Sequence, residues 1–302
     1  MSTIIVIGSS NTDMVIKSAH LPAPGETILG GEFFMNPGGK GANQAVAAAK
    51  LGGEVVFVAK VGDDIFGQEA VQGFKNEGID TDYIVVDPRN PSGVATIMVD
   101  DQGENCIAVA SGANGTLSPA DIDKALARID AADVLLMQLE TPIPTIDYAA
   151  SAGSEKWKTV ILNPAPAQAL SDDLLAKLDV ITPNETEAEI LTGIKVENTT
   201  DAEKAALALR EKGVGTVIIT LGSQGAFVVA DSFTGMVPVR KVNAVDTTAA
   251  GDTFNGALAV GMAKGLPIEA AVEFANKAAS VSVTRLGAQA SAPRLEELEG
   301  LA

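Results

Sequence analysis

The chain is short of the residues on which many reactive sites are built. It has one cysteine, Cys106, so no internal disulfide can form, and a reducing compartment suits it. Its one histidine, His20, excludes histidine-rich metal sites and would have to serve any Ser-His-Asp set alone. His20 precedes Leu21-Pro22-Ala23-Pro24-Gly25, a turn-rich stretch, and reads as a plain loop histidine. Positive charge is scarce too: 21 lysines and arginines face 39 aspartates and glutamates, a formal net charge of −18. A general nucleic-acid binder would need a basic face, and so would a protein docking on anionic lipid. The expected partners therefore include no nucleic acid and no membrane. No apolar run approaches the roughly 18 residues a membrane helix needs. No basic region precedes Ile4-Ile5-Val6-Ile7, which is too short for a signal segment, so the expected location is the cytoplasm. A polyanionic ligand would be repelled by the overall field. It must be held by helix N-termini, glycine-rich backbone, metal ions or a few lysines.

What is present suits a large folded unit: 302 residues, 46% hydrophobic and 20% charged. Ile4 to Gly8, Val55 to Val61, Val134 to Leu139, Thr159 to Leu162, Val180 to Thr182 and Val217 to Leu221 read as short buried strands. Helical patterns cover Gly38 to Leu51, Gln68 to Asn76, Ala120 to Ile129, Glu185 to Leu191 and Ala202 to Lys212. Two more strands, around Gly225 to Ala230 and Met236 to Val239, precede a helical C-terminal region broken at Gly265-Leu266-Pro267. Continuous apolar strands alternating with helices signal a mainly parallel sheet covered on both faces. The stretches 11–37 and 89–110 are different, with a hairpin turn at Asp100-Asp101-Gln102-Gly103. They should form a small β element that cannot stand alone and must cover a ligand crevice or a second subunit. Cys106 in that hairpin reads as a small packing residue.

In an open parallel sheet, ligands bind beyond the carboxyl ends of the strands. Polar residues recur there: Ser9-Ser10-Asn11-Thr12-Asp13, Glu140, Asn184-Glu185-Thr186-Glu187 and Gly222-Ser223-Gln224-Gly225. Singly each is equally a turn or cap residue; together they favour a site. Gly38-Gly39-Lys40-Gly41-Ala42-Asn43 opens a helix but is no P-loop, since Phe34 stands where that motif has glycine and Gly41 replaces its serine or threonine. It either lets a ligand approach the backbone or lets a helix pack closely. The sharper cluster is Asp246-Thr247-Thr248-Ala249-Ala250-Gly251-Asp252-Thr253-Phe254. Small residues there leave helix N-terminal N–H groups free as an anion hole. Asp252 could be a simple cap, or a base that takes a proton from an attacking hydroxyl during phosphoryl transfer.

Residues 38–45, Gly-Gly-Lys-Gly-Ala-Asn-Gln-Ala, and the Ala249-to-Phe254 segment resemble the two signatures of the ribokinase-like carbohydrate kinase family. The likeness runs through Gln138-Leu139-Glu140 and Asn163-Pro164-Ala165-Pro166-Ala167 to Thr284-Arg285-Leu286-Gly287-Ala288-Gln289. Within the family it is nearer the ribokinase branch than the fructokinase, deoxygluconate or adenosine kinase branches.

The resemblance implies a ribokinase-like three-layer α/β/α domain over residues 1–302, with a discontinuous β lid from about 11–37 and 89–110. It implies ATP-dependent phosphorylation of D-ribose at the 5-hydroxyl, giving ribose 5-phosphate. Asp252 would be the general base and Ala249, Ala250 and Gly251 the anion hole. The sugar would meet Asn11, Thr12, Asp13, Gly39, Lys40, Gly41, Ala42, Asn43, Glu140 and Asp252. The nucleotide would meet Asn184, Thr220, Leu221, Gly222, Ser223, Gln224, Gly225, Gly251, Asp252 and Asn276, the last a departure from a frequent histidine. Glu187 would help organise Mg²⁺. Asp246, Thr248, Ser282, Arg285, Gly287 and Ser291 would surround a monovalent cation, typically K⁺. Lids of two subunits would pair in a homodimer. The alternatives are a kinase for another sugar or nucleoside such as deoxyribose, and a catalytically silent sugar-binding regulator.

Overall fold

The computed structural model describes residues 3–156 and 158–300, so the outermost two positions at each end of the expected 1–302 domain lie outside the described residues. β1 (Thr3–Ile7) leads into β2 (Asn11–Lys17) and β3 (Glu32–Gly38), followed by α1 (Lys40–Lys50), β4 (Glu54–Gly62), α2 (Ile65–Asn76) and β5 (Ile84–Asp87). The hairpin of β6 (Gly93–Val99) and β7 (Asn105–Ala110) comes next, then α3 (Pro119–Asp123), α4 (Leu126–Ala131) and β8 (Val134–Met137). Helix and strand then alternate: α5 (Ile143–Glu155), β9 (Thr159–Leu162), α6 (Asp172–Leu175), β10 (Val180–Ile181), α7 (Glu185–Thr192), α8 (Thr199–Glu211) and β11 (Thr216–Thr220). β12 (Ala226–Val229), β13 (Thr234–Val237), α9 (Ala250–Ala263), α10 (Ile268–Ser282) and α11 (Leu295–Glu299) complete the order.

Nine strands form one sheet in the order β13-β12-β11-β10-β9-β8-β1-β4-β5. Every neighbouring pair from β5 to β11 is parallel, and β12 and β13 add antiparallel at one edge. β1 shows why its run is uninterruptedly apolar. Ile5 and Ile7 pack in one core with residues of α5 and α8, while Ile4 and Val6 pack in the other with residues of α1, α9 and α10. All four are fully buried, each contributing roughly 1.5–3 kcal/mol by leaving water.

From β1 the chain builds outward to β4 and β5, then returns to build β8 to β11 on β1's other side. The reversal falls between β1 and β8, and a crevice opens beyond their carboxyl ends. The second sheet has the order β3-β2-β6-β7 and is drawn from the two stretches expected to form the small β element. β2 pairs antiparallel with β3 and parallel with β6.

The structure amends several expectations. The helix expected over Ala120 to Ile129 is two short helices, split where Lys124 and Ala125 leave the regular helical run. α5 had no expected counterpart, because Ser, Gly and Thr dilute its apolar stripe. It nevertheless supplies the crossover that parallel β8 and β9 require. Cys106 is exposed on β7, not packed. His20 is indeed a loop residue, 3.1 Å from Glu26 Oε1.

Candidate active site

The loops after β1 and β8 meet across the crevice. Ser9 Oγ donates to Glu140 Oε2 at 2.5 Å, and the same oxygen accepts the Lys40 backbone N–H at 2.9 Å. Glu140 thus anchors the first turn of α1, and its other carboxylate oxygen takes no bond from the described residues. α1 lies very close to β1: a Cβ on Gly41 would sit 2.5 Å from Ser9 N and one on Gly39, at φ +90°, 2.7 Å from Asn11 N. These glycines answer the choice between ligand approach and helix packing. Gly41 serves packing, with its N–H directed at Ser9 Oγ at 3.3 Å. Ala42 likewise is fully buried and spends its N–H on the Ser9 carbonyl. Neither keeps a group for substrate, which corrects both assignments.

α1 sends Asn43 and Gln44 toward α9. Asn43 Nδ2 donates to Asp252 Oδ2 at 2.9 Å and Gln44 Nε2 to Asp252 Oδ1 at 3.0 Å. Asp252 is 5% exposed, and burial pushes its carboxyl pKa up against the pull of Lys40 and these two amides. A buried carboxylate with a raised pKa is a better proton acceptor than a solvated one. Ala249, at φ 56°, turns the chain into α9. The Ala250 N–H goes to the Thr247 carbonyl at 3.2 Å, so the N–H groups left free at this terminus are those of Ala249, Gly251 and Asp252. A Cβ on Gly251 would meet nothing within 4 Å, so open space faces that turn.

Asp13 points to the same centre from the small sheet. Its carboxyl is pushed up to about 6 by burial, then by the charges of Glu140 and Asp252. Thr12 does not follow it. Strand alternation sends Thr12 to the other face, in register with Pro37 and Val94, and removes it from the candidate sugar residues. Asn11 is fixed by Asn114, whose Nδ2 donates to Asn11 Oδ1 at 2.8 Å and which also bonds Ser10 N and O. Sequence reasoning missed Asn114, for nothing in its surroundings marks a partner about a hundred residues earlier. It passed over Gln44 and Gln138 too, although both lie in the family-like segments.

Asp13 carries a stability consequence. A carboxyl with a folded pKa above its unfolded one destabilises the ionised protein, a penalty complete above about 6 and absent once both states are protonated. Asp13→Asn should therefore raise the thermal midpoint near neutrality, and the gain should fade as pH falls below about 6 toward the ordinary carboxylate range. A gain independent of pH would show that burial charges Asp13 no such penalty.

A cavity of about 740 Å³ extends from Lys40 and Asp252 to Thr220, Gly222, Ser223, Gly225 and Asn276. Asn184 and Thr220 are bridged at the ends of β10 and β11. Asn184 Oδ1 accepts the Glu187 N–H at 2.8 Å and Glu187 Oε2 accepts the Asn184 N–H at 2.9 Å, a reciprocal cap of α7. Glu187 is buried, not an exposed helix carboxylate, and burial raises its pKa. Asn276 Nδ2 donates to the Val237 carbonyl at 2.9 Å and so holds the sheet edge beside the cavity. Leu221 packs in the core, and neither it nor Gln224 lines the cavity.

Two of the loops expected to surround a monovalent cation meet at Asp246. Asp246 accepts the Thr248 N–H at 2.9 Å and the Gly287 N–H at 2.8 Å, tying two loops together. Burial raises its pKa, but these bonds outweigh it and hold the carboxyl low. The hydroxyls of Ser282 and Ser291 donate to the carbonyls of Ala279 and Ala288, and Arg285 pairs with Glu297. Arg285 can contribute backbone alone. Among the described residues no cluster of three His, Cys, Asp or Glu could hold a metal by itself.

The arrangement offers a buried carboxylate facing open helix N–H groups, with polar groups on one side and a large cavity on the other. Residues 1–295 match the model of the pfkB family carbohydrate kinases. The chain is 46% identical over 300 residues to a ribokinase of Haemophilus influenzae, covering 99% of this chain and 98% of that one. It is 41% identical over 295 residues to a deoxyribokinase of Salmonella typhi, covering 97% and 96%. The solved structure of an Arabidopsis thaliana ribokinase complexed with ribose and ATP superposes with a TM-score of 0.93 at 32% identity, covering 99% and 98%. With its fold and nearly its whole length in agreement, the chain belongs to the pfkB family of carbohydrate kinases.

Proposed function

We propose that the chain transfers the γ-phosphoryl group of ATP to the 5-hydroxyl of D-ribose, giving ribose 5-phosphate and ADP. The observation that carries this is Asp252, buried and held by two amides beside a helix terminus with free N–H groups. The sugar lies between the small sheet and α1, where Asn11, Asp13, Lys40, Asn43 and Glu140 present donors and acceptors to its hydroxyls. Asp252 takes the 5-hydroxyl proton as that oxygen attacks the γ-phosphorus. The N–H groups of Ala249, Gly251 and Asp252 receive the charge growing on the phosphoryl oxygens. Nucleotide fills the 740 Å³ cavity.

Asn184 and Glu187 would hold Mg²⁺, and the ion would supply charge neutralisation on the phosphates. Asp246 and backbone carbonyls of the loops it ties would hold a monovalent cation such as K⁺, which would supply positive charge beside the approach to α9. The small sheet acts as a lid. Its outer face shows Phe33 and Met35, 60% and 49% exposed, and β7 is exposed throughout. A second copy of the chain pairing through this sheet would cover both the apolar face and the unpaired edge. Among the described residues no helix is long and apolar enough to cross a membrane.

A deoxyribose kinase is the second reading, favoured by the 41% identity to a deoxyribokinase. ADP release from ATP and Mg²⁺ should be measured with D-ribose, 2-deoxyribose, fructose and adenosine, with and without K⁺. Turnover on ribose, raised by K⁺, is expected; preference for 2-deoxyribose would replace the substrate while leaving the base and anion hole. Sugar binding with no turnover would make the chain a regulator. Lys40→Ala should raise the ribose KM about tenfold, the value of one charged hydrogen bond, and the ATP KM less. A larger effect on ATP would assign Lys40 to the nucleotide side of the cavity that it lines.

A further inference from the structure

Behind Asp252 lies a set of buried side-chain amides that the reaction as described leaves without a task. Gln44 is fully buried and every hydrogen-bonding group of its amide is engaged. Its Nε2 donates to Asp252 Oδ1 and to Asn163 Oδ1, both at 3.0 Å, and its Oε1 accepts from Gln138 Nε2 at 2.6 Å. Gln138 is fully buried at the end of β8, yet its own Oε1 finds no donor among the described residues. That oxygen occupies the space where residue 8 would carry a side chain: a Cβ on Gly8 would be 2.1 Å from it.

We propose that Gln138 and Gln44 form an amide relay that positions the Asp252 carboxylate for proton abstraction, Gln44 directly and Gln138 through Gln44. The proposal rests on the reading of Asp252 as the base. Turning the Gln44 amide over would set its oxygen against the Asp252 carboxylate and its NH₂ against that of Gln138. Repulsion from Asp252 Oδ1 and Asn163 Oδ1 opposes it, and the Gln138 donor reinforces the face that Gln44 shows to the base. An apolar side chain at 138 would remove the unpaired Gln138 oxygen but leave Gln44 Oε1 buried without its donor. The stranded oxygen is what the relay costs, and Gly8 is what gives it room.

The donor's chemistry fits a base. A lysine or arginine at position 44 would also orient Asp252, but its charge would depress the carboxyl pKa and weaken it as a proton acceptor. A neutral amide fixes the carboxylate with a smaller loss of basicity. Gln44 holds one oxygen and Asn43 the other, so the carboxylate plane cannot rotate and a lone pair stays aimed at the incoming hydroxyl. Gln44 and Gln138 are thus positioning residues that touch no reacting atom.

The test is kcat, the ribose KM and the pH profile of kcat for Gln44→Met and Gln138→Met, each in the parent chain and in Asp252→Asn. Gln44→Met should lose about tenfold to a hundredfold in kcat with the ribose KM changed less than about threefold. The acid limb of its profile should move to higher pH, because the carboxylate has lost a donor. Gln138→Met should show the same two changes, smaller. Neither substitution should slow Asp252→Asn further. A folded Gln44→Met with the parent kcat and acid limb, or losses that persist in full on Asp252→Asn, overturns the relay and leaves the base standing. If Gln44→Met does not fold, Gln138→Met decides by the same readouts. Parental turnover of Asp252→Asn overturns the base, and the relay with it.

Discussion

Asp252→Asn is expected to bind ribose and ATP while turning over roughly 10²–10⁴-fold more slowly, the share a general base contributes. The substitution exchanges one buried carboxylate oxygen for an NH₂ facing one amide donor, and the site can absorb that. Asn43 Oδ1 is buried without a partner among the described residues, so the Asn43 amide can turn over and accept from the new NH₂. The fold should survive, and the loss should fall on kcat. The pH profile sharpens the expectation. Burial raises the Asp252 pKa while Lys40, Asn43 and Gln44 lower it. Activity in the parent should fall as pH drops through the resulting value, and that limb should vanish in Asp252→Asn. Near-normal turnover, or an unchanged acid limb, would take the base away from Asp252 and leave the helix terminus to act alone.

The sequence displayed the frame of this site better than its fine geometry, for a physical reason. Strands buried on both faces are written as uninterrupted apolar runs, so β1, β4, β9 and β11 stood out, and with them the strand ends where ligands bind. Asp252 stood out because small residues before an acid are costly unless backbone must be reached. The alternation of β2 was equally available and should have separated Thr12 from Asn11 and Asp13. Contacts between distant segments were not available. Asn114 reaches Asn11 across the chain, Gln138 reaches Gln44, and neither pairing leaves a local trace. Nor could spacing alone show that the Ala250 N–H is spent on Thr247, or that the Ser282 and Ser291 hydroxyls bond carbonyls three residues earlier. Such details depend on the rotation of single groups, which a residue pattern does not encode.

Gly41→Ala and Gly251→Ala should part company, although both add one methyl group to a helix start beside the reacting centre. At Gly41 the Cβ would lie 2.5 Å from Ser9 N and 2.7 Å from both Gly8 Cα and Gly8 C, all backbone. β1 cannot retreat, being fully buried from Ile4 to Ile7 and paired on both sides to β4 and β8. α1 must move instead, carrying Lys40, Asn43 and Gln44 with it. Overpacking of this kind costs about 1–3 kcal/mol, and a misplacement of about 1 Å in a positioning element costs on the order of a hundredfold in rate. Gly41→Ala should therefore lose both thermal stability and kcat/KM. At Gly251 the Cβ would meet nothing within 4 Å, and alanine suits a helix better than glycine by roughly 0.8–1 kcal/mol. Gly251→Ala should be as stable as the parent or more so, yet slower, because its methyl group enters the space needed by the transferring phosphoryl group. Thermal denaturation alongside steady-state kinetics checks both. An unharmed Gly41→Ala would mean that α1 tolerates displacement from β1, while an unharmed Gly251→Ala would move the phosphoryl path away from the first turn of α9.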